Sequence, residues 1–148
     1  MSVKSIWWEG VQPDPARLNA LSSDSLSGLL GIEVSAVGDD WIEARMPVDQ
    51  RTRQPLGRLH GGASVVLAES IGSLGAAFTV DRERFVAVGM EINANHVRPA
   101  RDGWVTAVAR PEAMGRTSQV WTIRISDEEG RLVCISRFTV AIIARDRH

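Results

Sequence analysis

The sequence predicts an α+β fold in which an antiparallel sheet curls around one long apolar helix. Between residues 61 and 80 the side chains are small or apolar almost throughout, which is typical of a buried helix. The segments before and after this run alternate apolar and polar residues, which is typical of strands with one buried face. No helical pattern separates the strands that follow the run, so neighbouring strands are expected to pair antiparallel.

Short helices are predicted ahead of the first strand. Leucines recur there at helical spacing, with Asp14 as the N-cap, Pro15 in the first turn and Gly31 as the stop. Residues 1–13 match no predicted element. We therefore expect one domain over residues 1–148, in which residues 1–13 form a peripheral N-terminal extension.

Two strands are predicted before the long helix and four after it. The first begins at Ile32 and the second lies around residues 41–48. In the first strand after the helix, four apolar residues at alternate positions are predicted to line one face: Val86, Val88, Met90 and Ile92. Residues 127–130 read Asp-Glu-Glu-Gly and predict a hairpin turn between the last two strands.

Composition excludes several classes of function. The chain has 148 residues, enough for one domain with a substantial core. Its 18 acidic and 17 basic residues argue against a nucleic-acid partner held by bulk charge. The single cysteine, Cys134, lies in a predicted strand and is expected to be a core residue. No secretory signal is recognisable at the N-terminus, so a cytoplasmic location is expected.

Other sites can be set aside by their motifs. The apolar run 61–80 is long enough to span a membrane, but it holds four glycines, three serines and one charge, so no membrane association is expected. The chain lacks a P-loop, a GxGxxG loop, a GxSxG elbow and an HExxH helix. Its histidines are His60, His96 and His148, which are few for a metal site. We expect neither a metal nor a cofactor.

One charged residue, Glu69, interrupts the apolar helix, and Ser73 lies one turn later on the same face. A lone carboxylate on a buried helix is costly unless it is paired, neutralised or open to a cleft. It could pair with an arginine such as Arg84, or share an exposed stripe with Ser70 and Ser73. Alternatively, it could act as a catalytic acid, base or nucleophile.

The start of the helix offers a second candidate feature. His60, Gly61 and Gly62 occupy the first turn, where backbone N–H groups have no partner inside the helix, and no serine, threonine or aspartate precedes them as a cap. The positive end of the helix dipole favours a developing negative charge, as an oxyanion hole requires. Alternatively, the two glycines only permit close packing.

The two features are too far apart to act together within one chain. From the start of the helix to Glu69 the axial rise is about 13 Å. Two such helices running antiparallel across a twofold axis could bring them together. The spacing therefore favours an active site shared between subunits.

The same residues carry a family resemblance. The segments RTRQPLGRLHGGASVVLAESIGS, VGMEINANHVRPA and VWTIRISDEEGRLVCISR resemble the hotdog-fold acyl-CoA thioesterases of the 4-hydroxybenzoyl-CoA thioesterase type. Within these, the chain looks most like the branch with the phenylacetate-pathway and 1,4-dihydroxy-2-naphthoyl-CoA thioesterases. The similarity extends from about residue 18 to residue 143. It implies a hotdog fold and hydrolysis of acyl-CoA or aroyl-CoA thioesters.

The resemblance also implies roles for individual residues. Glu69 would act as nucleophile or as general base for water, and the Gly61 N–H would polarise the thioester carbonyl. His60 and Gln54 would orient the thioester, and Ser73 would position the water or the carboxylate. Glu69 and Ser73 would come from the subunit opposite Gln54, His60 and Gly61.

A second set of residues is expected to hold coenzyme A, which is part of the substrate. The arginines in this set suit phosphate oxygens. The set comprises Gly89, His96, Val97, Arg98, Pro99, Gly115, Arg116, Thr117 and Ser118.

We therefore predict a thioester hydrolase that assembles as a dimer or, more specifically, a dimer of dimers. Two alternatives remain at this point. One is a thioesterase that acts on acyl groups of a carrier protein, and the other is a non-catalytic acyl-CoA-binding regulator, which would have no need of Glu69.

Overall fold

A six-stranded antiparallel sheet surrounds one long helix in the computed structural model, which describes residues 4–146. The strand order is β1-β2-β4-β5-β6-β3. The predicted α+β fold, with its antiparallel sheet, is confirmed. The elements are a 3-10 helix Trp8–Gly10, α1 Pro15–Ser22, α2 Leu26–Leu29, β1 Glu33–Val37, β2 Ile42–Pro47, α3 Gly61–Phe78, β3 Phe85–His96, β4 Trp104–Met114, β5 Ser118–Ser126 and β6 Leu132–Ala144.

The residues that were predicted to begin and end the N-terminal helices do so. Oδ1 of Asp14 accepts the N–H of Ala16 at 3.2 Å, and Pro15 occupies the first turn of α1. Gly31 has φ of 72°, a left-handed conformation that favours glycine, and it follows the end of α2.

The predicted peripheral extension covers residues 1–13, of which residues 1–3 lie outside the described part of the chain. Trp7 is only 3% exposed, and its Nε1 donates to the carbonyl of Gly38 at 2.7 Å. The N–H of Ile6 donates to the carbonyl of Asp39 at 3.0 Å. These bonds fasten residues 6 and 7 to the connection between β1 and β2.

Helix α3 packs closely into the sheet. A Cβ at Gly75 would lie 3.0 Å from the ring of Trp121, and one at Gly72 would lie 3.1 Å from the ring of Phe138. Glycine at these positions lets large side chains of β5 and β6 approach the helix axis. By length and hydropathy α3 could also cross a membrane, but half of it is buried within the fold, as a core helix requires.

Strand β3 departs from the predicted alternation because of a bulge. Gly89 pairs with Val140 while Glu91 pairs with the preceding residue, Thr139, so Met90 is an extra residue in the ladder. The prediction that Val86, Val88, Met90 and Ile92 share one face is therefore wrong. The residues of β3 that pack on the core change phase across the bulge: Phe85 and Ala87 before it, Ile92 and Ala94 after it.

The last two strands form the predicted hairpin. The N–H of Gly130 donates to the carbonyl of Asp127 at 3.0 Å, and Gly130 has φ of 76°. Cys134 on β6 is fully buried, and this burial raises the pKa of its thiol above the ordinary value. The thiol is therefore a core group, as predicted from its strand.

Candidate active site

The start of α3 is capped by a residue that sequence reasoning did not consider as a cap. Nδ1 of His60 accepts the N–H of Gly62 at 2.8 Å, and the His60 carbonyl accepts the N–H groups of Ala63 and Ser64. Among the described residues, the N–H of Gly61 makes no hydrogen bond. The helix start thus presents one unpaired N–H, not the several that the absence of an ordinary cap suggested.

This N–H lies at a cavity of about 310 Å³. Five of the predicted site residues line it: Gln54, Gly61, His96, Arg98 and Pro99. The ring of His96 lies against the helix start, since a Cβ at Gly61 would be 2.9 Å from its Nε2. The structure therefore brings together the residues expected to polarise a carbonyl and part of the set expected to hold coenzyme A.

Gln54 is oriented by the tight turn that follows it. Its Oε1 accepts the N–H of Leu56, and the N–H of Gly57 donates to the Gln54 carbonyl at 2.9 Å. With Oε1 engaged, the amide NH₂ of Gln54 is the group left to donate. The turn also leaves Leu56 79% exposed, next to the cavity-lining residue Arg58.

Glu69 lies near the middle of α3 and is half-buried. Its carboxylate forms no ion pair within residues 4–146, so the predicted alternative of a bridge to Arg84 is wrong. Arg84 instead lies over the ring of Phe85, at 5.3 Å from the ring centroid. The Oε1 of Glu69 faces β3, where a Cβ at Gly89 would be 2.7 Å away. Ser73 follows one turn later and is also half-buried.

The β4–β5 turn contains the remaining predicted residues, and it lies at the Glu69 end of the sheet. The N–H of Gly115 donates to the carbonyl of Ser118 at 2.8 Å. Ser118 pairs with Ala141 of β6, which pairs with Val88 of β3. His96, by contrast, pairs with Cys134 at the other end of the β3–β6 ladder. Arg116 and Thr117 are exposed within the turn.

Each chain therefore carries two separate groups of predicted site residues. We call Gln54, His60, Gly61 and residues 96–99 the donor half, and Glu69, Ser73, Gly89 and residues 115–118 the carboxylate half. Gly61 and Glu69 are about 12 Å apart along the axis of α3. The seven-residue step from Gly89 to His96 spans roughly 20 Å of strand. Within one chain, the two halves do not meet.

Comparison with known proteins agrees with this arrangement of elements. The sequence profile of the thioesterase superfamily matches residues 56–134 of this chain. A crystal structure of a mutant thioesterase from Pseudomonas aeruginosa superposes with a TM-score of 0.93 at 49% identity, covering 95% of this chain and 100% of that one. The chain belongs to the thioesterase superfamily.

Two named relatives give the family membership more detail. The 1,4-dihydroxy-2-naphthoyl-CoA hydrolase of Escherichia coli is 56% identical over 126 residues, 85% of this chain and 92% of the relative. The proofreading thioesterase EntH of Cronobacter turicensis is 49% identical over 126 residues, 85% of this chain and 91% of the relative. The fold is therefore the hotdog fold and the activity is thioester hydrolysis, which confirms both predictions and excludes the non-catalytic alternative.

Sequence reasoning missed two polar residues of this thioesterase's cavity. Ser64 is buried and lines the cavity from the first turn of α3, and Arg58 lines it from the preceding loop. Ser64 could have been found from its spacing, since it lies three residues after Gly61 on the same helical face. Arg58 had no such signal, because its position depends on the folding of an irregular loop.

Among residues 4–146 no group of three or more histidine, cysteine or acidic side chains is arranged to hold an ion. Arg98 also borders a neighbouring cavity of about 370 Å³, whose wall includes Arg101 and Arg131. The same wall holds four acidic residues, and Arg131 is ion-paired with Asp127 and Glu129, so this neighbouring cavity has mixed charge.

Proposed function

We propose that this thioesterase hydrolyses acyl-CoA or aroyl-CoA thioesters to the free acid and coenzyme A. The observation that carries the proposal is the unpaired N–H of Gly61, at a cavity that Gln54, His96 and Arg98 also line. 1,4-Dihydroxy-2-naphthoyl-CoA is the first substrate to test, because the relative at 56% identity is named for it. Hydroxybenzoyl-CoA is the second.

In this proposal the helix start activates the thioester. The carbonyl oxygen accepts the Gly61 N–H, and the positive end of the α3 dipole stabilises the negative charge that develops on it. The free NH₂ of Gln54 donates to the same thioester. Because Nδ1 of His60 accepts the N–H of Gly62, the neutral ring carries its proton on Nε2, which can donate toward the leaving sulfur.

Glu69 supplies the other reactant in one of two ways. As a general base it removes a proton from water, whose oxygen attacks the carbonyl carbon while Ser73 positions the water. As a nucleophile it attacks the carbon itself, and water then hydrolyses the resulting anhydride. In both routes the C–S bond breaks. The coenzyme A thiolate takes up the proton that the general base removed from water or, in the anhydride route, the proton released when water hydrolyses the anhydride.

The two routes place different oxygen atoms in the product. A single turnover in ¹⁸O-labelled water puts the label into the product acid if Glu69 acts as a general base. If Glu69 acts as a nucleophile and water attacks the Glu69 side of the anhydride, the label enters Glu69. Mass spectrometry of the acid and of the peptide that contains Glu69 identifies the nucleophilic route when the label is found in Glu69; label in the acid alone arises from general-base catalysis or from attack on the acyl side of the anhydride.

The complete site is proposed to form between two chains. In the described residues β3 pairs on one side only, with β6, so its other edge is open for a second copy. Antiparallel pairing of two β3 strands about a twofold axis near Ile92 and Asn93 would place Gly89 of one chain opposite residues 95–97 of the other. The carboxylate half of each chain would then meet the donor half of its partner.

This assembly makes a simple prediction for the mass in solution. The mass of the protein in solution is expected to be two or four times the chain mass of 16.2 kDa. A particle of single-chain mass that retains full activity would contradict the shared site.

Coenzyme A is proposed to reach across both halves. Arg98 of one chain and Arg116 of the other would bind its phosphates by charge-assisted hydrogen bonds. A carrier-protein thioester would present its pantetheine without these nucleotide phosphates. Comparison of rates on acyl-CoA and on the same acyl group attached to a carrier protein therefore separates this proposal from the carrier-protein alternative.

The decisive experiment replaces Glu69 by glutamine. Thiol release from a panel of aromatic and aliphatic acyl-CoAs is expected to fall by at least about a hundredfold in Glu69→Gln, the scale of losing a catalytic base or nucleophile. Glu33→Gln is the matched control, because Glu33 is an exposed glutamate on β1 that pairs with Arg45. An unchanged rate in Glu69→Gln would show that the carboxylate has no catalytic role.

A further inference from the structure

The carboxylate of Glu69 has no charged partner among residues 4–146 and lies close to Gly89 of β3. It forms no ion pair or hydrogen bond within residues 4–146. Its Oε1 would lie 2.7 Å from a Cβ at Gly89, and Cζ of Phe138 would lie 3.0 Å from the same point. One carboxylate oxygen thus borders the space that a side chain at position 89 would need.

The bulge at Met90 determines which way this part of β3 faces. In a regular strand, residues seven positions apart point to opposite faces. The extra residue in the ladder cancels this alternation, so both Gly89 and His96 face α3. Gly89 meets Glu69, and His96 meets Gly61. The bulge therefore turns one residue of each half, Gly89 and His96, toward α3.

The ring behind Gly89 has little room to move. Phe138 is fully buried on β6 and pairs with Ile92 and Trp121 on the two neighbouring strands. Its Cδ1 would also lie 3.1 Å from a Cβ at Gly72 of α3. A methyl group at position 89 would meet both the end of the Glu69 side chain, at 2.7 Å, and the ring of Phe138, at 3.0 Å, and the flexible side-chain end is the part that can move farther.

We propose that Gly89 is a positioning residue for Glu69. Its missing side chain, at the bulge, leaves the space in which the carboxylate lies and so fixes the direction of its oxygens toward the reacting carbonyl. This inference rests on the proposed role of Glu69. It assigns Gly89 to the control of the carboxylate, beyond the contact with coenzyme A that the sequence resemblance implies.

The test is Gly89→Ala, assayed by thiol release. A displacement of about 1 Å is expected to lower kcat by up to about a hundredfold, with KM nearly unchanged. The mass in solution is expected to stay close to that of the unsubstituted protein, and the melting temperature is expected to change about as much as in Gly72→Ala, because both added methyl groups approach the Phe138 ring, at 3.0 and 3.1 Å. A kcat equal to that of the unsubstituted protein would overturn the proposal.

Gly72→Ala is the matched control. It adds a methyl group against the same Phe138 ring, from the helix side, without approaching the carboxylate oxygen that Gly89 contacts. Its kcat is expected to stay within about threefold of the unsubstituted value, the effect of a minor packing change. An equal loss in both glycine variants would assign the effect to core packing and overturn the positioning role.

A double variant separates positioning from a structural effect. If Gly89 acts through Glu69, Gly89→Ala is expected to cause no further loss in a Glu69→Gln background. Additive losses would overturn the proposal. Full activity of Glu69→Gln alone would remove the proposed function, whereas an inactive Glu69→Gln with a fully active Gly89→Ala would remove only the positioning role.

A second substitution covers the case in which Gly89→Ala does not fold. Phe138→Leu keeps an apolar side chain on β6 but removes the rigid ring that borders the space at Gly89. It is expected to lower kcat with little change in KM and to add no loss in the Glu69→Gln background. Unchanged kcat in this variant would contradict the idea that packing orients Glu69.

Discussion

The two halves of the site lie on the same helix but are built in different ways. The donor half is open: the Gly61 N–H has no partner in the described residues and lies at a cavity of about 310 Å³. The carboxylate half is tight: a Cβ at Gly89 would lie 2.7 Å from Oε1 of Glu69. In the proposed mechanism, one half depends on a backbone N–H that must stay free, and the other on a carboxylate that must stay in place.

This difference predicts which substitutions each half tolerates. The donor half should accept changes of side-chain size at the residues that line its cavity, such as Gln54 and Arg98, provided that the N–H of Gly61 remains and the ring of His96 is not displaced. The carboxylate half should respond to a single methyl group, because close packing resists added volume. The four predictions below test this contrast, from the largest expected effect to the smallest.

The largest effect is expected from Gly61→Pro. Proline is tolerated at the first position of a helix, and His60 already has the extended conformation (φ −67°, ψ 129°) that a residue before proline prefers. The substitution removes the N–H and adds a ring whose Cβ meets Nε2 of His96, and kcat is expected to fall by about 10²–10³, the scale of losing one oxyanion donor.

Gly61→Ala is the control for this prediction. Its Cβ meets Nε2 of His96 as the proline Cβ does, but the N–H is retained. Equal kcat values in Gly61→Pro and Gly61→Ala would mean that the backbone donor has no part in the reaction.

Mixed assemblies test whether the halves come from different chains. Co-expressed Glu69→Gln and Gly61→Pro subunits are expected to recover about half of the unsubstituted activity in mixed pairs, since each mixed pair has one intact site out of two. Activity is measured on pairs isolated through two different affinity tags. No recovery would indicate that each site is formed within one chain.

The phosphate contacts should affect binding more than turnover. Arg98→Ala and Arg116→Ala are each expected to raise KM about tenfold and to leave kcat nearly unchanged, the effect of losing a charge-assisted hydrogen bond. On an acyl-pantetheine substrate, which lacks the nucleotide, the variants should match the unsubstituted protein. Arg124→Ala is the control, since Arg124 is an exposed arginine on β5.

The smallest effect concerns the cap of α3. His60→Ala is expected to lower the free energy of unfolding by about 1 kcal/mol, because it removes the acceptor for the Gly62 N–H. His60→Asn should restore this stability, since asparagine is a good N-cap, without restoring the ring's Nε2 donor. Urea unfolding measures the first effect and thiol release the second. Equal destabilisation in both variants would contradict the capping role.

Much of the fold could be predicted because its signals are local. The apolar run predicts α3 over residues 61–80, and the helix spans Gly61–Phe78. The turn at residues 127–130 follows from its glycine, which adopts a left-handed conformation. The order of strands in the sheet could not be predicted, because alternating patterns do not specify which strands pair.

The bulge in β3 shows where periodic reasoning fails. Val86, Val88 and Met90 fit a regular alternation with Ile92, yet one extra residue reverses the faces at Met90. Only the pairing with β6 defines that irregularity. The prediction identified Gly89 as a site residue through family resemblance alone, whereas its position against Glu69 depends on a bulge that no local pattern signals.

The helix cap was missed for a related reason. Histidine is not among the residues preferred at an N-cap, so a preference-based search passes over His60. The separation of Gly61 from Glu69, by contrast, follows from helix geometry alone and could be predicted without a structure.

The open edge of β3 has a consequence for the chain before it assembles. Twelve residues, Phe85–His96, present unpaired backbone groups there, and Val88 and Met90 are 42% and 67% exposed. Long exposed edges of this kind recruit other strands and promote aggregation. A second copy that covered the edge would remove this hazard, so in newly made chains solubility and activity would be acquired in the same step.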